Sequence, residues 1–114
     1  MSRRVERVSE LIRREIAAIV AREVGIKDVI ITITRIEISP DVQYGNIYFT
    51  AIPKNAAERA LAQLTGHVVP IQQALNKRLY MRPVPKIRFL IDKEEQEAAR
   101  IDEIIHLIDE ANHS

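Results

Sequence analysis

Between Arg3 and Glu23 the apolar residues Val5, Val8, Ile12, Ile16 and Ile19 recur at steps of three and four. At 100° per residue such steps share one face, so the spacing predicts an amphipathic helix over residues 3–23. Ser2 is placed to cap this helix and Gly25 to stop it. Arg3, Arg7 and Arg14 cluster on the opposite face, with Glu10 among them. The plain reading of these arginines is a solvated face paired to Glu6 and Glu10 one turn away; the alternative is contact with a partner.

From Val29 to Ile38 the pattern changes to the β-branched run VIITITRIEI. Ile31 and Ile33 fall in one alternating register, Ile36 and Ile38 in the other. A bulge near Thr34 reconciles them, as would a strand covered on both faces. Ser39-Pro40-Asp41 signals a turn that Gly45 could close. A second strand, Asn46 to Ile52, alternates Ile47, Phe49 and Ala51 against Tyr48, Thr50 and Ile52, and the two runs are close enough to pair as a hairpin.

Pro53 ends that strand, and Asn55 with Glu58 three residues on resembles a capping box. The helix it opens carries Ala57, Ala60, Leu61 and Leu64, with Gly66 as its stop. Helical pattern resumes at Pro70 with Ile71, Ala74, Leu75 and Leu79. Pro70 suits a first turn but would cost ~3 kcal/mol inside a continuous helix, and it biases Val69 away from helical geometry. The expectation is therefore two helices, or one sharply broken helix, with the break at Gly66 to Pro70. In the stretch Lys86 to Ile91, Ile87, Phe89 and Ile91 take one face of a strand, and Lys86, Arg88 and Leu90 the other. Last comes an acidic helix striped by Ile101, Ile104, Ile105 and Ile108.

Composition sharpens this outline only in places. The chain has 114 residues, 46% apolar and 29% charged, which suits one domain with one core. Aromatics are scarce at 4%, so base stacking across a sheet is not an obvious design. Net charge is only +1, yet its distribution is uneven. Residues 72–93 hold six cations against one acid, and residues 94–114 one cation against seven acids. A basic surface thus coexists with an acidic tail.

Candidate chemistry is sparse. With no cysteine, disulfides and thiolate metal sites are excluded. His67, His106 and His113 have no metal-ligand spacing, no serine sits in a nucleophile elbow, and three glycines form no phosphate-cradling loop. No metal, cofactor or enzymatic activity is expected. The N-terminus lacks the apolar core of a secretory signal, and no apolar run reaches the ~20 residues of a membrane span. A cytoplasmic protein with no membrane partner is expected.

In order, the elements are α-β-β-α-α-β plus a terminal helix, and the β-α-break-α-β portion is the order of a KH domain, without its GxxG loop. The residues themselves resemble the bacterial ribosome-binding factor A family over nearly the whole chain. The resemblance is carried by RRVERVSELIRREIAAIV, by ITRIEISPDVQYGNIYFTAI, and above all by LNKRLYMRPVPKIRFLID followed by RIDEIIHLID. It implies an α+β, type II KH-like domain with a three-stranded mixed sheet and helices on one face. Residues 1–114 would form that single domain, 93–114 being its acidic helical extension.

The resemblance also implies a non-catalytic ribosome biogenesis factor. Such a factor binds the free small (30S) ribosomal subunit near the 5′ region of its 16S rRNA and assists late pre-rRNA maturation, notably in the cold. It would be a monomer when free. The family has an Ala-x-Gly kink, usually followed by Ile-Arg; here the positions read His67-Val68-Val69 and Ile71-Gln72. Pro70 can supply the break by another route. The candidate RNA-binding residues are Lys77, Arg78, Arg82, Lys86 and Arg88, with Arg3, Arg7 and Arg14 as a second group. Phosphate contact is the role expected of them; the competing role is solubility and, for Lys77 and Arg78, pairing with a helix C-terminal dipole. A different class of function remains open, a protein-interaction module that docks a basic partner on the acidic terminal helix.

Overall fold

The computed structural model describes residues 3–98. Ser2, the isoleucine stripe from Ile101 to Ile108, His106 and His113 lie outside the described residues. Helix α1 runs Arg3–Glu23, followed by strands β1 (Ile30–Ile38) and β2 (Tyr44–Ile52). A 3-10 turn, Lys54–Ala56, leads into α2 (Ala57–Gly66), then α3 (Val68–Arg78) and β3 (Lys86–Ile91). Residues 93–98 are helical again.

The sheet order is β1-β2-β3, with β1 and β2 antiparallel and β2 and β3 parallel. The centre falls to β2 because its inward residues Ile47, Phe49 and Ala51 are wholly buried and fit between two neighbours. Residues of α1 supply much of the remaining core: Val5, Val8, Ile12, Ile16 and Ile19 are buried, as their spacing predicts, with Val20 and, just past the helix, Val24. Helices α2 and α3 add Ala60, Leu64, Ile71 and Leu75. Each large apolar side chain buried in this way contributes about 1.5–3 kcal/mol. No helix among the described residues is long and apolar enough to cross a membrane.

The register of β1 shifts between Ile33 and Arg35, which puts a bulge at Thr34. Ile31 and Ile33 pair with Ala51 and Phe49 on the helix side, and beyond the bulge Ile36 and Ile38 regain that side. The extra residue is itself held, because the Thr34 hydroxyl donates to Asp92 Oδ2 at 2.7 Å. Asp92 also accepts the Glu95 amide on Oδ1 at 3.3 Å and so caps the helical segment that follows β3. Asp92→Ala removes both contacts and is expected to cost about 1–2 kcal/mol in chemical denaturation, most of it cap energy.

Two local expectations are corrected and a third is narrowed. Gly45 does not close the hairpin loop: it lies within β2 opposite Ile38, where a Cβ would approach Ile38 Cδ1 to 3.1 Å. The turn is instead made by Ser39, whose hydroxyl donates to Asp41 at 2.7 Å and accepts the Tyr44 amide at 3.0 Å. That hydroxyl, then the Gln43 amide, holds the Asp41 carboxyl below its ordinary pKa. Asn55 forms no capping box, because the 3-10 turn takes its place and Ala56 occupies the cap position of α2 with no side-chain bond. The helix break lies inside the expected window but is confined to His67. Helix α3 starts at Val68, so Pro70 sits in its first turn, where a missing N–H leaves nothing unpaired. The same placement lets Val69 stay helical despite the following proline.

Two glutamine side chains finish the sheet where strands run out. Gln96, only 4% exposed, accepts the Ala51 amide on Oε1 and donates Nε2 to the Ala51 carbonyl, both at 2.8 Å. Since β3 stops pairing at Ile91 opposite Phe49, the Gln96 amide continues the ladder as a strand would. On the free edge of β3, Gln72 accepts the Ile87 amide at 2.9 Å and donates to the Pro85 carbonyl at 3.1 Å. Gln72 stands where the resemblance leads one to expect arginine, and its neutral amide holds α3 to β3.

Candidate nucleic-acid interface

The last turn of α3 carries Lys77 and Arg78, and the chain then leaves the helix in an extended conformation at Leu79. An extended segment alternates its side chains. Leu79 is buried, Tyr80 is fully exposed, and Met81 is half-buried. This segment runs beside the N-terminal half of α1, and Arg78 Nη1 donates to Glu15 Oε2 across the gap at 3.1 Å. That ion pair is solvent-exposed and contributes at most about 1 kcal/mol. Its role is to set the position of the guanidinium.

Between the two elements lies an open cavity of ≈ 550 Å³. Arg4, Arg7 and Arg14 line it from α1, Arg78 and Arg82 from the other side, and Glu15 is the one acid in its wall. Arg82 Nη1 donates to the Met81 carbonyl at 3.0 Å and the Asn76 carbonyl at 3.4 Å. Through the second bond it ties down the C-terminal end of α3, where a cation is also favoured by the helix dipole. Arg78 is paired to Glu15, but Arg7, Arg14 and Arg82 leave the cleft cationic, and such a surface suits a polyanion.

The eight candidate cations therefore do not form one site. Arg7, Arg14, Arg78 and Arg82 meet in the cleft, whereas Arg3 and Lys77 are exposed outside its lining. Lys86 and Arg88 point from the outer face of β3 into a separate depression shared with Tyr44 and Asn46. There Arg88 Nε donates to Asn46 Oδ1 at 2.7 Å, and Asn46 in turn donates to Glu37 at 3.1 Å. Tyr48 on this face is covered by the Arg35 guanidinium, 3.9 Å from its ring centroid. The outer sheet face is thus largely engaged with itself.

Sequence reasoning missed Arg4, although it shares a wheel position with Leu11 and Glu15, the residues beside which the cleft opens. It also left Tyr80 out of the candidate set; the signal was the alternation Leu79-Tyr80-Met81 directly after a helix end. At the break, His67 Nδ1 is 2.8 Å from the Gln63 carbonyl, so the ring is turned back onto α2. Among the described residues no group of three His, Cys, Asp or Glu side chains could hold a metal ion.

A mixed three-stranded sheet, helices on one face and a one-residue break between two of them make this a KH-like α+β domain, a class that includes RNA-binding modules. The comparisons with known proteins narrow the class. A family model described as ribosome-binding factor A matches residues 4–105. Ribosome-binding factor A of Burkholderia thailandensis is 33% identical over 108 residues, which span 92% of this chain and 84% of that relative. The protein of that name from Vibrio campbellii is 33% identical over 105 residues, 90% of this chain and 78% of its own. The crystal structure of ribosome-binding factor A from Thermus thermophilus shares the fold with a TM-score of 0.55 at 23% identity, covering 76% of this chain and 89% of that one. The chain belongs to the ribosome-binding factor A family.

Proposed function

We propose that this protein is a non-catalytic assembly factor that binds the free small (30S) ribosomal subunit and assists late maturation of its 16S rRNA. It does so as a monomer in the cytoplasm, with its largest contribution in the cold. The observation that carries this reading is the cleft between α1 and the segment 78–82, where five arginines face a single glutamate. Arginine forks suit phosphate oxygens, and such contacts give affinity without reading sequence. The names of the relatives, both ribosome-binding factors, agree with it. Arg7, Arg14, Arg78 and Arg82 are the primary phosphate ligands in this reading. Lys77, Lys86, Arg88 and Arg3 form a weaker outer field.

Binding to small subunits should then depend steeply on salt. Three to five neutralised phosphates predict a slope of log K against log salt of roughly −2 to −4. A flat profile would contradict the phosphate reading; docking of a basic partner on the acidic terminal segment is screened by salt as well, so a second test is needed. To separate the two, truncation at Lys93 is unsuitable, because it would remove Gln96 and orphan the Ala51 backbone. Neutralising Asp102, Glu103, Asp109 and Glu110 to their amides in the full chain touches none of the bonds described above. Binding to small subunits should persist or tighten in that variant; its loss would favour the docking function.

A further inference from the structure

Tyr80 is exposed to 104% of the reference surface, beside a cleft lined by Arg7, Arg14, Arg78 and Arg82. Exposed apolar residues are common singly and by themselves mean little. Two features set this one apart. Its neighbours Leu79 and Met81 are packed inward, so the extended backbone is pinned and the ring is held outward on a fixed base. Arg82, two residues on, is itself anchored to the Asn76 and Met81 carbonyls, so ring and cation are presented together. Of the other tyrosines near cations, Tyr48 already has a guanidinium over its face, and Tyr44, beside Lys86 and Arg88, is only 58% exposed and next to an Arg88 already bonded to Asn46.

A bare aromatic ring flanked by fixed guanidinium groups matches the chemistry of unpaired RNA, whose bases stack on rings while its phosphates meet cations. Duplex RNA cannot use it, because its bases are already stacked within the helix. We propose that Tyr80 is a stacking platform for one unpaired base of a single-stranded RNA segment, with the adjoining phosphates held by Arg7, Arg14, Arg78 and Arg82. This inference rests on the rRNA-binding reading and goes further by naming the kind of RNA: a single-stranded segment rather than a helix.

The test uses the full-length protein, a fluorescein-labelled single-stranded RNA of about eight nucleotides, within the span of known single-strand sites, and a hairpin duplex carrying the same number of phosphates. Anisotropy titration should show the wild type preferring the single strand. Tyr80→Ala should weaken that binding roughly ten- to a hundredfold, leave the duplex affinity unchanged, and leave the salt slope of single-strand binding unchanged, since no charge is lost. Tyr80→Phe, which keeps the ring, should bind within about twofold of wild type. Because the side chain is wholly exposed, neither change should disturb the fold. Equal affinity of wild type and Tyr80→Ala for the single strand would overturn the stacking role, as would equal affinity of wild type for strand and duplex. Wild type that binds small subunits but neither probe also overturns it, with the broader reading intact. If wild type binds neither probes nor small subunits, the broader reading fails, and the stacking role fails with it.

Discussion

The double charge reversal Arg7→Glu with Arg14→Glu is expected to weaken binding to small subunits about a hundredfold near 0.1 M salt, and to flatten the salt slope by roughly 1.5. Each arginine removed releases one phosphate contact, and each glutamate introduced adds repulsion within a cleft open to the ligand. These two are the cleanest positions because both are exposed on α1 and neither side chain enters the core. Reversing Arg78 or Arg82 would confuse the outcome, since one pairs with Glu15 and the other ties down the end of α3. The unfolding midpoint of the double variant should match wild type, because changes at exposed helix positions usually stay within about 0.5 kcal/mol. Arg59→Glu, exposed on α2 and outside the cleft lining, is the matched control and should change affinity less than about threefold.

Gln96→Leu should lower the stability of the fold by about 3 kcal/mol, read from the urea midpoint at unchanged m-value. Leucine fills similar space but leaves the amide and the carbonyl of Ala51, a wholly buried residue, without partners. An orphaned buried backbone group costs about 1–3 kcal/mol, and two are made at once. Against a total of about 5–15 kcal/mol for a typical domain, that is a large share. Gln73→Leu, at an exposed position on α3, should stay within about 0.5 kcal/mol and shows that the loss comes from the Ala51 bonds rather than from glutamine as such.

What the sequence made legible was everything set by local period. The face of α1, the bulge at Thr34 and the alternation of β3 follow from side-chain repeats of 3.6 and 2, and the structure has each of them. Punctuation was read less well. Asn55 and Glu58 have capping-box spacing, yet a 3-10 turn formed first, and Gly45 reads as a turn residue although what it answers is a close approach of Ile38 across the strand pair. Gln96 could not be read at all, because its partner Ala51 lies 45 residues away and an amide leaves no trace in hydrophobic period. The same limit acted on the candidate interface. Counting cations along residues 77–88 merges groups that the turn after α3 separates, Arg78 and Arg82 toward α1, Lys86 and Arg88 toward the outer sheet face. The arginines of α1 looked like a second, independent group; packing α1 against α3 joins two of them to the first.

Whether the cleft meets the RNA of a free small ribosomal subunit is tested most directly by sucrose-gradient sedimentation of the full-length protein with separated ribosomal subunits at low salt. The protein should travel with the small-subunit peak, and Arg7→Glu with Arg14→Glu should leave it at the top of the gradient. Wild-type protein that stays at the top, or a reversed variant that still travels with the small subunit, would contradict the account.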